Sequence, residues 1–323
     1  MVGVAQSALS IAGPGKVDRP ASPAVVRVRD LHKRYGDNHA VRGIDLDVHQ
    51  GEIFAFLGPN GAGKTTTVEI LEGYRGRDGG DVEVLGRDPR HATRQWRSQI
   101  GVVLQTCAVQ PELTVGELLT LYGSYYPAPL SVEATLDLVG LQAECDRRAG
   151  ALSGGQQRRL DVGLALVGNP ELLFLDEPTT GFDPSARHHT WEVIAGLRDI
   201  GKTVFLTTHY MDEAQALADR VAVIARGSIV AEGTPAALGG RDRAKTTISF
   251  RLPEGSSASE LPGLAGDDAT VEGSHVELRT ATPTRSLAAL TAWGAERGIE
   301  LPELEARRPT LEEIYLRLTE EGS

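Results

Sequence analysis

The sequence predicts an α/β fold built around a buried, mainly parallel sheet, with a smaller α+β unit after it. Three observations lead there. Between Ala24 and Leu238, strand-like runs alternate with helical stretches, the order that lays helices over a sheet. The segments EIFAFLG (52–58), ELLFLD (171–176) and TVFLTTH (203–209) are almost continuously apolar, as parallel strands buried on both faces are. They end in Gly58, Asp176 and His209, at the strand end where open α/β sheets hold their ligands.

The 323 residues suffice for one large domain and one small one. Residues 1–24 are rich in Gly, Ala, Ser and Pro, are broken at Gly13-Pro14-Gly15 and have no basic n-region. They are expected to form a leader without regular structure, not a secretory signal. VVRVRDL (25–31), IDLDVH (44–49) and GDVEVLG (80–86) alternate apolar and polar residues, which predicts half-exposed antiparallel strands. A proline-containing loop leads to Thr114, whose spacing to Glu117 is that of a capping box, so a helix is expected to start there.

Gly239-Gly240 and the charged Arg241-Asp242-Arg243 mark a boundary between a unit over residues 25–238 and one over 239–323. Beyond it, TTISFRL (246–252), ATVEGSHVELRT (269–280) and IELPELEARR (299–308) read as strands, and SLAALTAWGAERG (286–298) as a helix. Thr310 has capping-box spacing to Glu313 ahead of LEEIYLRL. That closing helix lines up Leu311, Ile314, Tyr315 and Leu318 on one face. The face is expected to pack inside the small unit or against the same helix of a second copy.

Bulk composition narrows the function. No run approaches the ~18 apolar residues that span a bilayer. The net charge of −11 disfavours broad electrostatic binding to nucleic acid, so no nucleic-acid partner is expected. The two cysteines, Cys107 and Cys145, have no metal or disulfide spacing and fit a reducing compartment.

The chemistry starts at Gly58-Pro59-Asn60-Gly61-Ala62-Gly63-Lys64-Thr65, followed by Thr66 in a helical TTTVEILEGY. This is the pattern GxxxxGK[ST], set between an apolar strand and a helix. Glycines let the backbone wrap phosphates closely, Lys64 brings a point charge to the β- and γ-phosphates, and Thr65 offers a hydroxyl to Mg²⁺. The helix N-terminus adds its positive dipole. Asp176 and Glu177 end a second buried run. One carboxylate there suits the Mg²⁺ shell and the other suits orienting and deprotonating water. His209 ends a third run, where a lone histidine is usually structural; only the ensemble of phosphate loop and acidic strand end makes contact with a γ-phosphate or the attacking water an expectation.

Leu152-Ser153-Gly154-Gly155-Gln156 resembles the signature motif of ABC ATPases, and the family's other motifs occur around it in the family's order. Tyr35 looks like the aromatic residue that stacks on adenine, and Gln105 like the Q-loop glutamine near the metal. Asp183, in Gly181-Phe182-Asp183-Pro184, looks like the D-loop aspartate, and His209 like the switch histidine. Phe182 stands where many family members carry Leu and keeps the apolar character. The resemblance covers residues 25–235. It implies a mixed-sheet P-loop core with an antiparallel β subdomain and a helical subdomain, binding ATP with Mg²⁺ and hydrolysing it. Ser153 suits an N-cap, and GQQRRLDVGLALV reads as the helix it opens. The resemblance implies that this second anion site, with Ser153, Gly154, Gly155 and Gln156, completes the ATP site of a partner subunit in a head-to-tail homodimer or ATPase heterodimer.

TTGFDPSAR, HYMDEAQALADRVAVIARG and the tail RPTLEEIYLRLTEEGS look most like daunorubicin-resistance-type export ATPases. That likeness implies a cytoplasmic subunit, held at the inner face of a bacterial membrane only through separately encoded permease subunits. In the family, the region after Gln105 receives helices of the permease. Export of a lipid, glycan or ion, service in an importer, and non-transport work on ribosomes or DNA are the other roles of such ATPases. The last predicts two phosphate loops or a long insertion, and this chain has neither.

Overall fold

The computed structural model describes residues 22–103, 109–240, 244–253, 255–262 and 268–320. The leader up to residue 21, Gln105, Cys107 and Arg241-Asp242-Arg243 lie outside the described residues. Strands β1 (Ala24–Tyr35), β2 (Asn38–His49), β3 (Ile53–Leu57) and helix α1 (Lys64–Leu71) open the chain, followed by β4 (Gly79–Val84), α2 (Arg94–Arg97) and β5 (Ile100–Val103). Three helices come next, α3 (Val115–Gly123), α4 (Val132–Val139) and α5 (Gly154–Leu166). Then come β6 (Leu172–Asp176), α6 (Pro184–Asp199), β7 (Thr203–Thr208), α7 (Met211–Leu217), β8 (Arg220–Ala225) and β9 (Ser228–Gly233). The remainder holds β10 (Thr246–Arg251), β11 (Asp268–Glu272), β12 (His275–Thr280), α8 (Pro283–Arg297), β13 (Glu305–Arg307) and α9 (Leu311–Glu320).

The central sheet runs β5-β6-β7-β3-β8-β9, parallel except for β9. Its three apolar runs are buried along almost their whole length, as their composition demands. Successive side chains alternate faces. Phe54 and Phe56 of β3 join Phe174 and Phe205 on one face, with ring centroids 5.5–5.7 Å apart. That face packs under the antiparallel sheet β2-β1-β4, whose inward residues include Val26, Val28, Ile44 and Leu46. The opposite face packs against α3, α4, α5 and α6 through Leu118, Val139, Leu160 and Ile194.

Two helix starts form as their sequences dictate. Thr114 and Glu117 make a reciprocal capping box, and so do Ser153 and Gln156, each satisfying two backbone N–H groups that the first turn leaves without partners. The β8–β9 turn at Arg226-Gly227 has both residues at positive φ, the geometry of a two-residue hairpin.

In the C-terminal part, run 269–280 is two strands, β11 and β12, because Gly273 at φ +62 turns the chain. Of run 299–308 only Glu305–Arg307 pairs, against β10. The sheet β11-β12-β10-β13 buries Ile248, Phe250, Val276 and Leu278 under Leu290 of α8.

The closing helix departs from expectation. Leu311 and Tyr315 of α9 pack not inside this small unit but with Ala55, Leu57, Ala214, Val221, Val223 and Leu238 of the large one. The reason is supply of apolar surface. Helix α8 already covers the apolar face of the small sheet, whereas α7, β8 and Leu238 leave a patch that the 311/314/315 stripe matches. Among the described residues no helix is long and apolar enough to cross a membrane.

Candidate functional site

Strand register assembles the site. Leu57 pairs with Thr208, and Asp176 with Thr207, so the residues following β3, β6 and β7 emerge side by side. The loop after β3 leaves no room for side chains at two of its glycines. A Cβ on Gly58 would lie 2.5 Å from the Ile224 carbonyl oxygen, and one on Gly63, at φ +107, would lie 2.4 Å from that of Ala40. Lys64, 5% exposed, donates to the carbonyls of Gly58 (2.7 Å) and Pro59 (3.3 Å). Its Nζ is 3.5 Å from Glu177 Oε1. Burial pushes this ammonium below the usual lysine range, with Glu177 opposing the shift.

Glu177 sits at φ +46, a left-handed conformation that costs a non-glycine residue about 1–3 kcal/mol and persists only where surroundings hold it. Here its N–H donates to the Thr207 carbonyl and lies 3.1 Å from the Thr207 hydroxyl. Its carboxylate meets His209 Nδ1 at 3.3 Å and accepts from the Thr180 hydroxyl at 3.2 Å. Burial alone would raise this carboxyl, but His209 and Lys64 hold it below the usual range, so it is ionised and able to take a proton at neutral pH. Asp176 accepts from the Thr207 hydroxyl.

A cleft of about 460 Å³ runs from Asp176, Glu177 and the loop (Pro59, Asn60, Gly61, Gly63, Lys64, Thr65, Thr66) to Tyr35, Asn38 and Ala40. Ala62 is buried beneath it. Tyr35 is 41% exposed, with the Arg75 guanidinium 5.3 Å and the Lys33 ammonium 5.5 Å from its ring centroid. The Asp176 carboxylate and the Thr65 hydroxyl share the cleft. Such a hard-oxygen pair suits Mg²⁺, which takes its other ligands from water and phosphate.

The residues at the start of α5 do not line this cleft. Ser153 and Gly154 are exposed at the surface, and the Gln156 side chain is committed to the cap and to Glu144 at 2.9 Å. Asp183 caps α6 by accepting from Ala186 N–H at 3.0 Å. One residue that no motif pointed to binds the site from behind. Arg158 of α5 is buried and donates to the carbonyls of Asp176 and Pro178, both at 3.0 Å, holding the two residues that flank Glu177. Its place on the buried face of a helix was the only available signal.

Below the loop, Glu72 closes α1 and is 4% exposed. Burial, reinforced by the charges of Asp176 and Glu69, pushes its carboxyl from 4.5 up to about 8. The folded protein therefore keeps this proton over a range where the unfolded chain has lost it. Stability should fall as pH rises through that window, by up to about 1.4 kcal/mol per unit. Glu72→Gln should match the parent near about pH 4 and become more stable by about pH 8. Urea unfolding of the nucleotide-free protein across that range checks this, and parallel curves would contradict it.

Comparison with known proteins follows the same lines. The family model described as ABC transporter matches residues 41–180. A second, described as ABC transporter domain-containing protein-like, C-terminal domain, matches residues 246–310. The Nod factor export ATP-binding protein I of Burkholderia lata is 36% identical over 305 residues, covering 93% of this chain and 98% of that protein. The daunorubicin resistance ATP-binding protein DrrA2 of Streptomyces coeruleorubidus is 37% identical over 306 residues, covering 91% and 94%. An ATP-binding cassette of an ABC transporter, solved in its ADP conformation, superposes with a TM-score of 0.60 at 29% identity, over 66% of this chain and 92% of that one. Likeness of this degree along nearly the whole length, on a fold with this strand-end cleft, settles the family: the chain belongs to the ATP-binding subunits of ABC transporters, and it is an ATPase.

Proposed function

We propose that this subunit drives export of a drug-like or lipophilic compound through separate permease subunits at the cytoplasmic face of a bacterial membrane. The observation that carries the reading is the reach of the likeness. Both named export relatives align over more than nine-tenths of this chain, not over the ATP-binding part alone. In this reading residues 25–238 form the ATPase unit and 239–323 an accessory unit.

Tyr35 stacks on adenine, while the N–H groups of residues 58–66 and Lys64 hold the phosphates. Thr65 and Asp176, joined by Gln105, would hold Mg²⁺, which when bound neutralises phosphate charge. Glu177 takes the proton of the attacking water, and His209 steadies Glu177 and the γ-phosphate. The exposed start of α5 and Asp183 serve a second subunit's ATP, so that two ATPs close a head-to-tail dimer. ATP does work only because it binds the closed state better than the open one. A second cleft, of about 630 Å³, lies between α2 and the end of α3 and includes Arg94, Arg97, Tyr125 and Tyr126. Tyr125 is 60% exposed. An aromatic surface flanked by arginines suits a protein partner, and the permease is the partner proposed for it.

The test is purification of the tagged chain from its own membranes. A multi-spanning protein should accompany it. The pair in vesicles should move a lipophilic fluorescent compound when ATP is present on the subunit's side, and Lys64→Ala should abolish the movement. Recovery of the chain without a membrane partner, or uptake in the opposite direction, would overturn export.

A further inference from the structure

Helix α7 starts two residues after His209, and its third residue, Glu213, is fully buried. One carboxyl oxygen, Oε1, accepts from the Thr179 hydroxyl at 2.7 Å and from the Trp191 indole at 3.1 Å. These donors come from separate elements. Thr179 lies in the loop two residues beyond Glu177, and Trp191 lies on α6, the helix capped by Asp183. The other oxygen, Oε2, is buried without a well-formed hydrogen bond among the described residues, although the Thr208 hydroxyl at the end of β7 lies near enough to the carboxyl to favour its ionised form. A carboxyl so placed costs desolvation that an apolar side chain would not, and burial drives its pKa upward. Stability alone gives no reason for it. Geometry does, because one atom joins the strand-end loop, α6 and α7.

The neighbouring contacts close the same joint. Arg187 of α6 pairs with Asp212 at 3.1 Å and stacks on Tyr210 at 4.5 Å from the ring centroid. The Tyr210 and His209 rings are 4.1 Å apart. Both residues that meet at 3.3 Å, Glu177 and His209, are thus carried on segments tied through Glu213.

We propose that Glu213 is a positioning residue for ATP hydrolysis, setting the distance between Glu177 and His209 by bonding the loop behind one to the helix behind the other. The proposal rests on the roles given above to Glu177 and His209. Hydrolysis should be sensitive to it and nucleotide binding should not, because the phosphate loop lies on other elements. In the full-length chain, Glu213→Leu is expected to lower kcat about tenfold, since small misplacements of reacting groups carry large rate costs, and to change KM for ATP by less than about twofold. Glu213→Gln offers an oxygen to the same donors and should restore most of the rate. In a His209→Ala background, Glu213→Leu should cost nothing further in single-turnover hydrolysis. If the leucine variant does not fold, Trp191→Phe removes one donor from a half-buried position and should lower kcat a few-fold with the same dependence on His209. Unchanged kcat, a rise in KM matching the fall in kcat, or full additivity with His209→Ala would overturn the proposal and leave Glu213 a packing residue. Glu177→Gln measured alongside tests the site itself: if that variant turns over normally, the reading of the site fails whatever Glu213 does.

Discussion

Glu177→Gln is expected to lower ATP turnover by about 10²-fold or more while ATP still binds. The backbone at Glu177 is held by Thr207 through the main chain, so an amide of the same size should leave the left-handed turn in place. What it loses is the ability to accept a proton, which the parent carboxylate has because His209 and Lys64 keep it ionised against burial. Binding should persist because the loop and Lys64 are untouched. With hydrolysis blocked, ATP should hold two subunits together, and light scattering should show an ATP-dependent dimer. Adding Ser153→Arg should abolish that dimer, since in the proposed arrangement its bulk at the exposed start of α5 would keep the helix N–H groups from reaching the partner's γ-phosphate. Near-normal turnover by Glu177→Gln would move the base elsewhere. A dimer that survives Ser153→Arg would exclude the composite site.

The second large effect concerns a chain ending after Leu238. Leu311 and Ile314, at 2% and 1% exposure, and the half-aromatic, half-polar Tyr315 at 8% would be gone. Ala214, Val221, Val223 and Leu238 would lose the helix that covers them. Deleting one well-buried large apolar side chain costs about 2–5 kcal/mol, and each kcal/mol moves the melting temperature of a domain this size by roughly 2–4 °C. The truncated chain should therefore melt at least about 10 °C lower or aggregate. Leu311→Ala in the full chain should reproduce part of the loss while keeping the small sheet. A truncated chain with parental melting temperature, hydrolysis and transport would show that α9 and the unit before it are dispensable.

Much of this protein is written in short stretches of sequence, because the physics involved is local. The caps at Thr114, Ser153 and Thr310 need only residues three apart. The loop from Gly58 to Thr66 needs only its glycines, its lysine and a following helix. Burial on both faces is legible in the unbroken apolar runs of β3, β6 and β7, and alternation is legible in β1, β2 and β4.

What tertiary structure decided is who meets whom. Glu177 and His209 approach because β6 pairs with β7 in the register Asp176–Thr207, and no local pattern encodes that register. Thr179 reaches Glu213 across 34 residues, and Arg158 grips the carbonyls around Glu177 from a helix whose motif pointed elsewhere. The α9 stripe was visible in sequence, but its partner was not. An amphipathic face shows only that it must be covered, and the covering surface is whichever apolar patch the rest of the fold leaves open, here the one formed by α7, β8 and Leu238.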